Sequence, residues 1–490
     1  MLILVLNRSC YLENIALIEQ TRERVEGYEL RLDLLKEISI KEIEQIRNIT
    51  ELPIIFTWKN SLYNTLIIQS LSKLQPDFFD FDYTTPISII NDVLSISPTT
   101  KIIISIHDYT QTPNDLTGLL LQVRGIRADI YKIATFATSI ADSLRMMHFM
   151  MKYSSRHRLI GICMGNAGQL TRITAPIIGS TMHYCYSGVE SAPGQFSLDE
   201  LLEVYFYKRI DRNTKILALL GNPVCHSPSH YTHNWIFCEF ELPVLYIKLQ
   251  LGFEELPAFC TFLKKLPFLG CSVTMPFKKA IIPFLDCTTN MVNITQSVNT
   301  IHSKDNILYG YNFDASGALD AIEEAISVSN QHIVILGGGG TAKSIAVEAK
   351  QRGATVTMLN RSLDKITNFA SQLQIRSASL DDFENIAKEG YDIVCNATCL
   401  GMGGAIETPV SSYKLLPNRY VMDVVFSVGH TFFTSGAEAL NCSIIYGKTM
   451  FVKQAIYQMR TWFSKDLNWN EIEKRLSQHS IIICNNKGVK

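Results

Sequence analysis

Eight short apolar runs recur through the first part of this chain: "LILVLN", "YELRLDLL", "PIIFTWK", "FFDFDY", "KIIISIHDY", "ADIYKIATF", "LIGICMG" and "MHYCYSG". They follow one another every roughly 20 to 30 residues, the length of one strand plus a crossover helix. Most of the intervening stretches have helical spacing, as in "KEIEQIRNI" and "TSIADSLRMMHFMMKY". Eight strands alternating with helices have few ways to bury both faces of a parallel sheet, and the pattern predicts a (β/α)8 TIM barrel. Several of the runs end in polar or charged residues, as barrel strands do at a catalytic face.

At 490 residues the chain exceeds a single core, so more domains must follow. Hydrophobic residues at 47% against charged residues at 19% argue against long disordered stretches. A net charge of -1 with no long Lys/Arg run leaves no footprint for nucleic acid or an anionic membrane. "MLILVLNRSC" lacks a basic n-region and reads as a first strand rather than a signal segment. The twelve cysteines are scattered without a CxxC pair. A cytoplasmic protein with reduced thiols and no metal centre is expected.

Near residue 212 the texture changes. "DRNTKILALLGNP" starts a new α/β region, and "QHIVILGGGGTAKSIAVEAKQRGATVTMLNRS" reads as strand, Gly-rich turn, helix and strand, a Rossmann-type βαβ unit. The predicted division is a barrel over 1–212, a substrate-binding domain over 213–315, a Rossmann dinucleotide-binding domain over 316–446, and C-terminal helices over 447–490 that return to the substrate domain.

Within "ADIYKIATFATS", Lys132 interrupts an apolar strand. A buried ammonium is costly unless paired or deprotonated, so a depressed pKa is expected for it. In "YELRLDLL", Glu29, Arg31 and Asp33 share one parity, and in "IIISIHDY" His107 shares the side of Ser105. A carboxylate, a guanidinium, an imidazole and an amine would converge at the barrel mouth. A neutral amine attacks a carbonyl, the resulting imine acidifies the adjacent carbon, and a histidine moves the proton. Schiff-base elimination and aldol cleavage both fit this set.

The stretches "ELRLD", "SIHDY", "YKIATFATSIAD", "GICMGNAGQLTRITAPIIGS" and "SAPGQFSLDEL" resemble type I 3-dehydroquinate dehydratases across residues 1–205. The resemblance implies Lys132 as imine former and His107 as general acid/base. It implies substrate contacts from Glu29, Arg31, Lys59, Arg172, Ser191 and Gln195, with the planar fork of Arg172 suited to a carboxylate. The family's FTxR stretch reads "FTWK" here, so Lys59 stands where an arginine is usual. The Glu-Gly-Gly that usually follows, whose glutamate helps orient the histidine, is absent from "NSLYNTL". Asp80 and Asp82 are substitute partners for His107.

In "ILGGGGTA", Gly337, Gly338, Gly339, Gly340, Thr341 and Ala342 join a strand to a helix N-terminus, where a pyrophosphate rests. The next strand ends in Asn360, Arg361 and Ser362, without the acidic residue that holds an NAD ribose. An arginine there accommodates a 2′-phosphate and points to NADP. In "GNPVCHSPSHYTHN", His226, His230 and His233 have no paired carboxylate, and the hydroxyls of Ser227 and Ser229 suit a small anionic substrate better than a metal.

From residue 214 to about 460, "GNPVCHSPSHYTHN", "GCSVTMPFKKA", "SVNTI", "GYNFDASG", "GGGGTAK", "NRS", "CNATCLGM" and "GKTMFVKQAIYQ" are similar to shikimate dehydrogenases. That likeness implies a catalytic pair of Lys278 and Asp314. Substrate contacts fall on Ser227, Ser229, Thr274, Asn299 and Gln454, and NADP(H) contacts on the Gly-rich turn with Asn360, Arg361, Ser362, Thr398 and Gly447. Ser272, Phe313 and Phe426 depart from the common asparagine, threonine and tyrosine.

Joined, the two resemblances imply a bifunctional 3-dehydroquinate dehydratase/shikimate dehydrogenase acting on small molecules, with neither nucleic acid nor membrane as partner. Dehydration of 3-dehydroquinate gives 3-dehydroshikimate, which NADPH reduces to shikimate. Three alternatives stand beside it: a dehydrogenase preferring quinate or NAD, a protein in which only the dehydrogenase half is fully active, and a non-catalytic sensor built from the same domains.

Overall fold

Each of the eight apolar runs forms a strand: β1 (Leu2–Leu6), β2 (Gly27–Arg31), β3 (Ile54–Trp58), β4 (Phe78–Asp82), β5 (Lys101–Asp108), β6 (Ile130–Phe136), β7 (Leu159–Met164) and β8 (His183–Tyr186). The computed structural model describes the chain apart from residues 35–37, 60–64, 226, 428, 464–466 and 487–490. It forms two compact units, Met1–Lys215 and Ile216–Lys490.

In the first unit the paired strands are parallel, and the sheet runs from β7 in descending order to β1, then to β8 and the two-residue β9 (Phe196–Ser197). No ladder joins β7 to β8 among the described residues. The Thr181 N–H donates to the Leu159 carbonyl across that gap at 2.8 Å, and the Gly165 N–H to the Pro193 carbonyl at 3.1 Å. Between strands lie the two helices whose periodicity is plainest, Ile40–Asn48 and Ile140–Tyr153. The first opens on a capping box of Ser39 and Glu42, which satisfies backbone N–H groups that the first turn leaves over.

Strand parity builds the interior. Ile3, Val5, Ile55, Ile103, Ile130, Ile160, Ile162 and Tyr184 share one buried cluster. Residues of the same parity nearer the C-terminal strand ends are Glu29, Thr57, Asp80, Ser105 and Lys132, all buried. The apolar floor therefore gives way to a polar layer at the end where barrel enzymes place their chemistry.

The second unit holds two sheets. One has the order β11-β10-β12-β14-β15-β13, with β10 (Lys215–Gly221), β11 (Val244–Gln250), β12 (Phe268–Val273), β13 (Cys287–Thr288), β14 (Thr300–Lys304) and β15 (Ile307–Tyr311). The other has the order β18-β17-β16-β19-β20-β21, with β16 (His332–Leu336), β17 (Thr355–Asn360), β18 (Arg376–Ser379), β19 (Ile393–Asn396), β20 (Tyr420–Asp423) and β21 (Ser443–Tyr446). All its pairs are parallel. This is the doubly wound order, and its switch point lies between β16 and β19, just beyond which the Gly-rich turn sits.

Alternate residues of its strands feed opposite faces. Ile333, Ile335 and Met358 enter one cluster, and Val334, Leu336 and Leu359 the other. The helix Gly447–Trp462 packs Val452, Ile456, Met459 and Trp462 against Leu217, Leu219 and Phe237 of the other sheet's core. It also lies against the helix Asp314–Glu323, where Gly317 leaves room for Gln454: a Cβ at Gly317 would stand 2.7 Å from the Gln454 Cβ.

Candidate active sites

In the barrel, the register pairs Ser105 with Lys132 and His107 with Ala134, so the amine and the imidazole leave adjacent strands on one side. The Lys132 Nζ lies 2.8 Å from Asp80 Oδ2 and 3.7 Å from Glu29 Oε1, and sits 4.4 Å above the centre of the Tyr184 ring. Thr57 Oγ1 donates to Glu29 Oε1 at 2.8 Å. Asp80 Oδ1 is buried with no hydrogen-bond partner among the described residues.

This surrounding reverses the expected titration of Lys132. Burial alone pulls its pKa down, but Asp80, Tyr184 and Glu29 outweigh burial and hold it above the ordinary lysine value. The depressed amine is Lys59 instead, pushed down to about 8 by burial and by the charge of Lys132. Lys59 Nζ is 2.8 Å from His107 Nε2, and burial, then Lys59 and Lys132, hold His107 well below the usual imidazole range.

Neither substitute partner expected for His107 is engaged with it. Asp80 takes Lys132, and Asp82 Oδ1 accepts from the Thr84 backbone and hydroxyl at 3.0 and 2.6 Å. The stretch 60–64, where the family's Glu-Gly-Gly is missing, lies outside the described residues.

Arg31 is held by Asp33 through two bonds, at 2.9 and 2.7 Å. Arg172 is buried, its guanidinium drawn down to about 10 by burial. It reaches the Pro193 carbonyl at 3.4 Å, while its Nε has no partner among the described residues. Pro193 lies in the same loop as Ser191 and Gln195, which bond to each other at 2.7 Å. Arg172 and this loop thus form one cluster with a donor to spare, which suits a carboxylate.

In the second unit, Lys278 stands on a short helix after β12, and Asp314 opens the helix Asp314–Glu323. Lys278 Nζ donates to Asp314 Oδ2 at 2.5 Å and to Thr341 Oγ1 at 3.3 Å. Asp314 also accepts from Asn299 Nδ2 at 2.8 Å and Thr341 Oγ1 at 3.1 Å. Burial raises the Asp314 pKa, but Lys278, Asn299 and Thr341 outweigh it and hold the carboxyl below its usual range.

A hydrogen-bonded chain extends from this pair. Asn299 Oδ1 accepts from Thr300 Oγ1 at 2.7 Å, which accepts from Gln458 Nε2 at 2.9 Å. Gln458 Oε1 accepts from Ser272 at 2.9 Å, and Ser272 from the Tyr246 hydroxyl at 2.8 Å. The chain makes use of Ser272, one of the three departures. Ser227 and Ser229 bond to each other at 2.9 Å. Thr274 lies between β12 and the Lys278 helix, and Gln454 Nε2 turns back to the Phe451 carbonyl at 3.0 Å. Phe313 stacks between Tyr311 and Tyr457 at 5.7 Å each, and Phe426 meets Phe451 edge-on at 5.1 Å.

Of the three histidines, His226 lies outside the described residues and His230 is buried. His233 is caged by Tyr246, Phe237 and Phe451, with Nδ1 2.8 Å from the Ser229 carbonyl.

The Gly-rich turn offers a cradle. Gly337 has φ +126°, open to glycine, and its Cβ would meet Ala397 and Thr398. A Cβ at Gly339 would meet nothing within 4 Å, whereas those at Gly338 and Gly340 would strike Ile366 and Ser297. The free side of the turn is therefore at Gly339, just before the helix Gly340–Gln351. Thr398 is tied to Asn396 at 2.7 Å beside Gly337, and Asn360 Nδ2 donates to the Ser362 carbonyl at 2.8 Å next to the exposed Arg361. Gly447 starts its helix against the Val425 carbonyl. Ala342 packs its side chain into the core, so anything it offers a cofactor comes from its backbone.

Sequence reasoning missed Asp80 as the partner of Lys132 and Thr341 as third member of the Lys278–Asp314 cluster. An aspartate inside "FFDFD" was as anomalous as the lysine in "YKIATF", and it was the available signal.

Residues 3–212 match the family model for type I 3-dehydroquinase, 219–301 that for the shikimate dehydrogenase substrate binding domain, and 320–401 that for shikimate/quinate 5-dehydrogenase. The chain is 32% identical to shikimate biosynthesis protein AroDE of Chlamydia muridarum, over 99% of its own length and 98% of that protein. It belongs to the bifunctional 3-dehydroquinate dehydratase/shikimate dehydrogenase family.

The bifunctional 3-dehydroquinate dehydratase/shikimate dehydrogenase of Arabidopsis thaliana, named chloroplastic, is 30% identical over 91% of this chain and 79% of that one. A shikimate dehydrogenase solved in complex with NADP+ matches 55% of this chain and 97% of its own, with 30% identity and a TM-score of 0.51. The bifunctional chain thus carries a lyase and an oxidoreductase of the shikimate pathway, and the sensor reading falls away.

Proposed function

We propose that Lys132 performs the dehydration as an imine former and that Lys278 with Asp314 performs the reduction with NADPH. The observation that carries the first half is a buried lysine between two carboxylates at the C-terminal end of the barrel strands, with His107 on the neighbouring strand. The resting ammonium of Lys132 is paired with Asp80, which can take its proton when the amine attacks the ketone of 3-dehydroquinate. The ketone oxygen leaves as water to give the imine, which draws electrons from the adjacent carbon; His107 removes a proton there, the same proton leaves with the hydroxyl as water, and hydrolysis of the imine frees 3-dehydroshikimate and Lys132. Arg172 holds the substrate carboxylate, with Ser191 and Gln195 beside it, while Glu29, Arg31 and Lys59 contact its oxygens.

In the dehydrogenase, bound NADPH supplies the hydride. Gly337 to Gly340, with backbone from Thr341 and Ala342, would hold its pyrophosphate, and Asn360, Arg361 and Ser362 its 2′-phosphate. Thr398 and Gly447 would add further contacts to the cofactor. Lys278 stabilises the negative charge that develops on the ketone oxygen and donates its proton there, and Asp314 fixes the ammonium in place. Ser227, Ser229, Thr274, Asn299 and Gln454 orient the 3-dehydroshikimate.

The proposed division follows the sequence reading: 1–212, 213–315, 316–446 and 447–490. Among the described residues no helix is long and apolar enough to cross a membrane. The described cysteines are all free, as in a reducing compartment, and the cytoplasm is the proposed location.

Purified protein mixed with 3-dehydroquinate and NADPH should consume NADPH, and Lys132→Ala protein should not, while still reducing added 3-dehydroshikimate. Consumption that survives Lys132→Ala would overturn the imine reading. Loss of both activities in that variant would mean that the halves depend on each other.

A further inference from the structure

The contact between Lys59 and His107 brings two nitrogens to 2.8 Å, so one must donate and the other accept. An ammonium has only hydrogens to give, which leaves His107 Nε2 as the acceptor and places the ring hydrogen on Nδ1. In that state the imidazole has no lone pair left with which to take a proton from a substrate. A carboxylate partner would act in the opposite sense, holding a ring hydrogen and raising the basicity of the other nitrogen. Among the described residues no carboxylate of the barrel mouth takes that place: Asp80 holds Lys132, Glu29 accepts from Thr57, Asp33 holds Arg31 and Asp82 caps a turn.

We propose that Lys59 is the positioning residue of His107, and that its own charge decides when the imidazole can act as a base. This rests on the reading of His107 as the acid/base of the dehydration. While Lys59 is charged it occupies Nε2 and the base is blocked. Once Lys59 is neutral, Nε2 is free to take the proton from the carbon next to the imine. The new Nε2–H then faces the substrate, with a neutral amine beside the imidazolium in place of a cation. The proton returns from Nε2 to the departing hydroxyl; the C–H and C–O bonds break, a C=C bond forms, and water leaves.

The groups around Lys59 favour such a switch. Burial and the charges of Lys132 and Arg31 oppose its ammonium, Asp80 and Glu29 support it, and the balance leaves it at about 8. Around His107 the charges are Lys59, Lys132 and Arg31, all positive, with the Tyr109 ring stacked at 5.7 Å. An arginine at this position could not titrate in the working range. The lysine at position 59 is thus a functional exchange and not a weakened copy.

The test is the pH profile of the dehydratase in the full-length protein and in its Lys59→Arg and Lys59→Gln variants, with reduction of added 3-dehydroshikimate as the control for folding. Wild-type kcat should climb between about pH 7 and about pH 9, through the titration of Lys59. In Lys59→Arg the climb should vanish and kcat on the alkaline side should fall about 100-fold or more, the scale of losing a general base. In Lys59→Gln the climb should vanish too, because the cation that blocks the base is gone. Variants that keep the wild-type climb, or a Lys59→Arg protein faster than wild type, would overturn the proposal. Borohydride trapping of 3-dehydroquinate on Lys132 separates the two levels: it should persist in both variants. Its absence from wild type, or a His107→Ala protein with undiminished kcat, would sink the underlying reading instead.

Discussion

Lys132 and Asp80 form a buried ion pair inside the barrel, 2.8 Å apart, with Glu29 at 3.7 Å on the same ammonium. The pair explains how an apolar strand tolerates a charged lysine, and it favours the protonated amine. Asp80→Asn should lower stability by about 3–5 kcal/mol, the usual cost of removing one partner from a buried pair. Because the carboxylate also raises the Lys132 pKa, the variant should form its borohydride-trapped adduct at lower pH than wild type. Urea unfolding and trapping across pH check both; unchanged values would mean that Asp80 is not the partner in solution.

In the second unit, Lys278→Ala and Asp314→Asn should each lower kcat for 3-dehydroshikimate reduction by about 100-fold or more, the range for a proton donor and its support. The KM for NADPH should change little, since neither residue belongs to the proposed cofactor cradle. Steady-state kinetics with each substrate varied distinguish this from a loss of binding. A comparable rise in the NADPH KM would assign the pair to cofactor binding.

Arg361 is exposed at the end of β17 beside Asn360, without the acidic residue of an NAD site. Arg361→Ala should raise the KM for NADPH by about tenfold, the equivalent of one charge-assisted contact at roughly 1.4 kcal/mol, and leave that for NADH nearly unchanged. A cofactor-swap assay with both nicotinamides makes the comparison, and equal effects on the two would refute the phosphate role.

Stability should fall on mild acidification. His107 and His183 in the first unit lie well below the ordinary imidazole value, and His233 in the second is pushed down to about 4, burial being the main cause in each. A histidine depressed in the folded state stays neutral there while the unfolded chain takes up protons. Its contribution is complete above the unfolded value, about 6.5, and is lost as pH falls toward the folded one. Melting temperature should therefore drop as pH falls from about 7.5 to about 5, and His233→Gln should show a shallower drop from a lower starting value. A flat profile in wild type would show that these rings are hydrated in solution.

Much of the molecule follows from local pattern. Eight apolar runs separated by helical stretches lead to eight parallel strands, because a strand buried on both faces needs a crossover helix to reach its neighbour. Parity within a strand put Glu29 and Arg31, and Ser105 and His107, on common sides. The Gly-rich turn between strand and helix marked the cradle. Such features depend on neighbours a few residues away, so one sequence suffices to read them.

Which charge meets which is another matter. Lys132 could be placed in a strand from sequence, but the sign of its pKa shift could not, since burial and Asp80 act in opposite directions and Asp80 is two strands away. Lys59 was legible only as a substitution for arginine; its hold on His107 Nε2 needs β3 and β5 curled around one interior. Thr341 joins Lys278 and Asp314 because a helix of the dinucleotide-binding sheet begins against the Lys278–Asp314 pair. Electrostatic partnership falls off over a few ångströms through space and is indifferent to separation along the chain, so elements and their chemistry can be read from residue order, whereas the pairs exist only once the chain has folded.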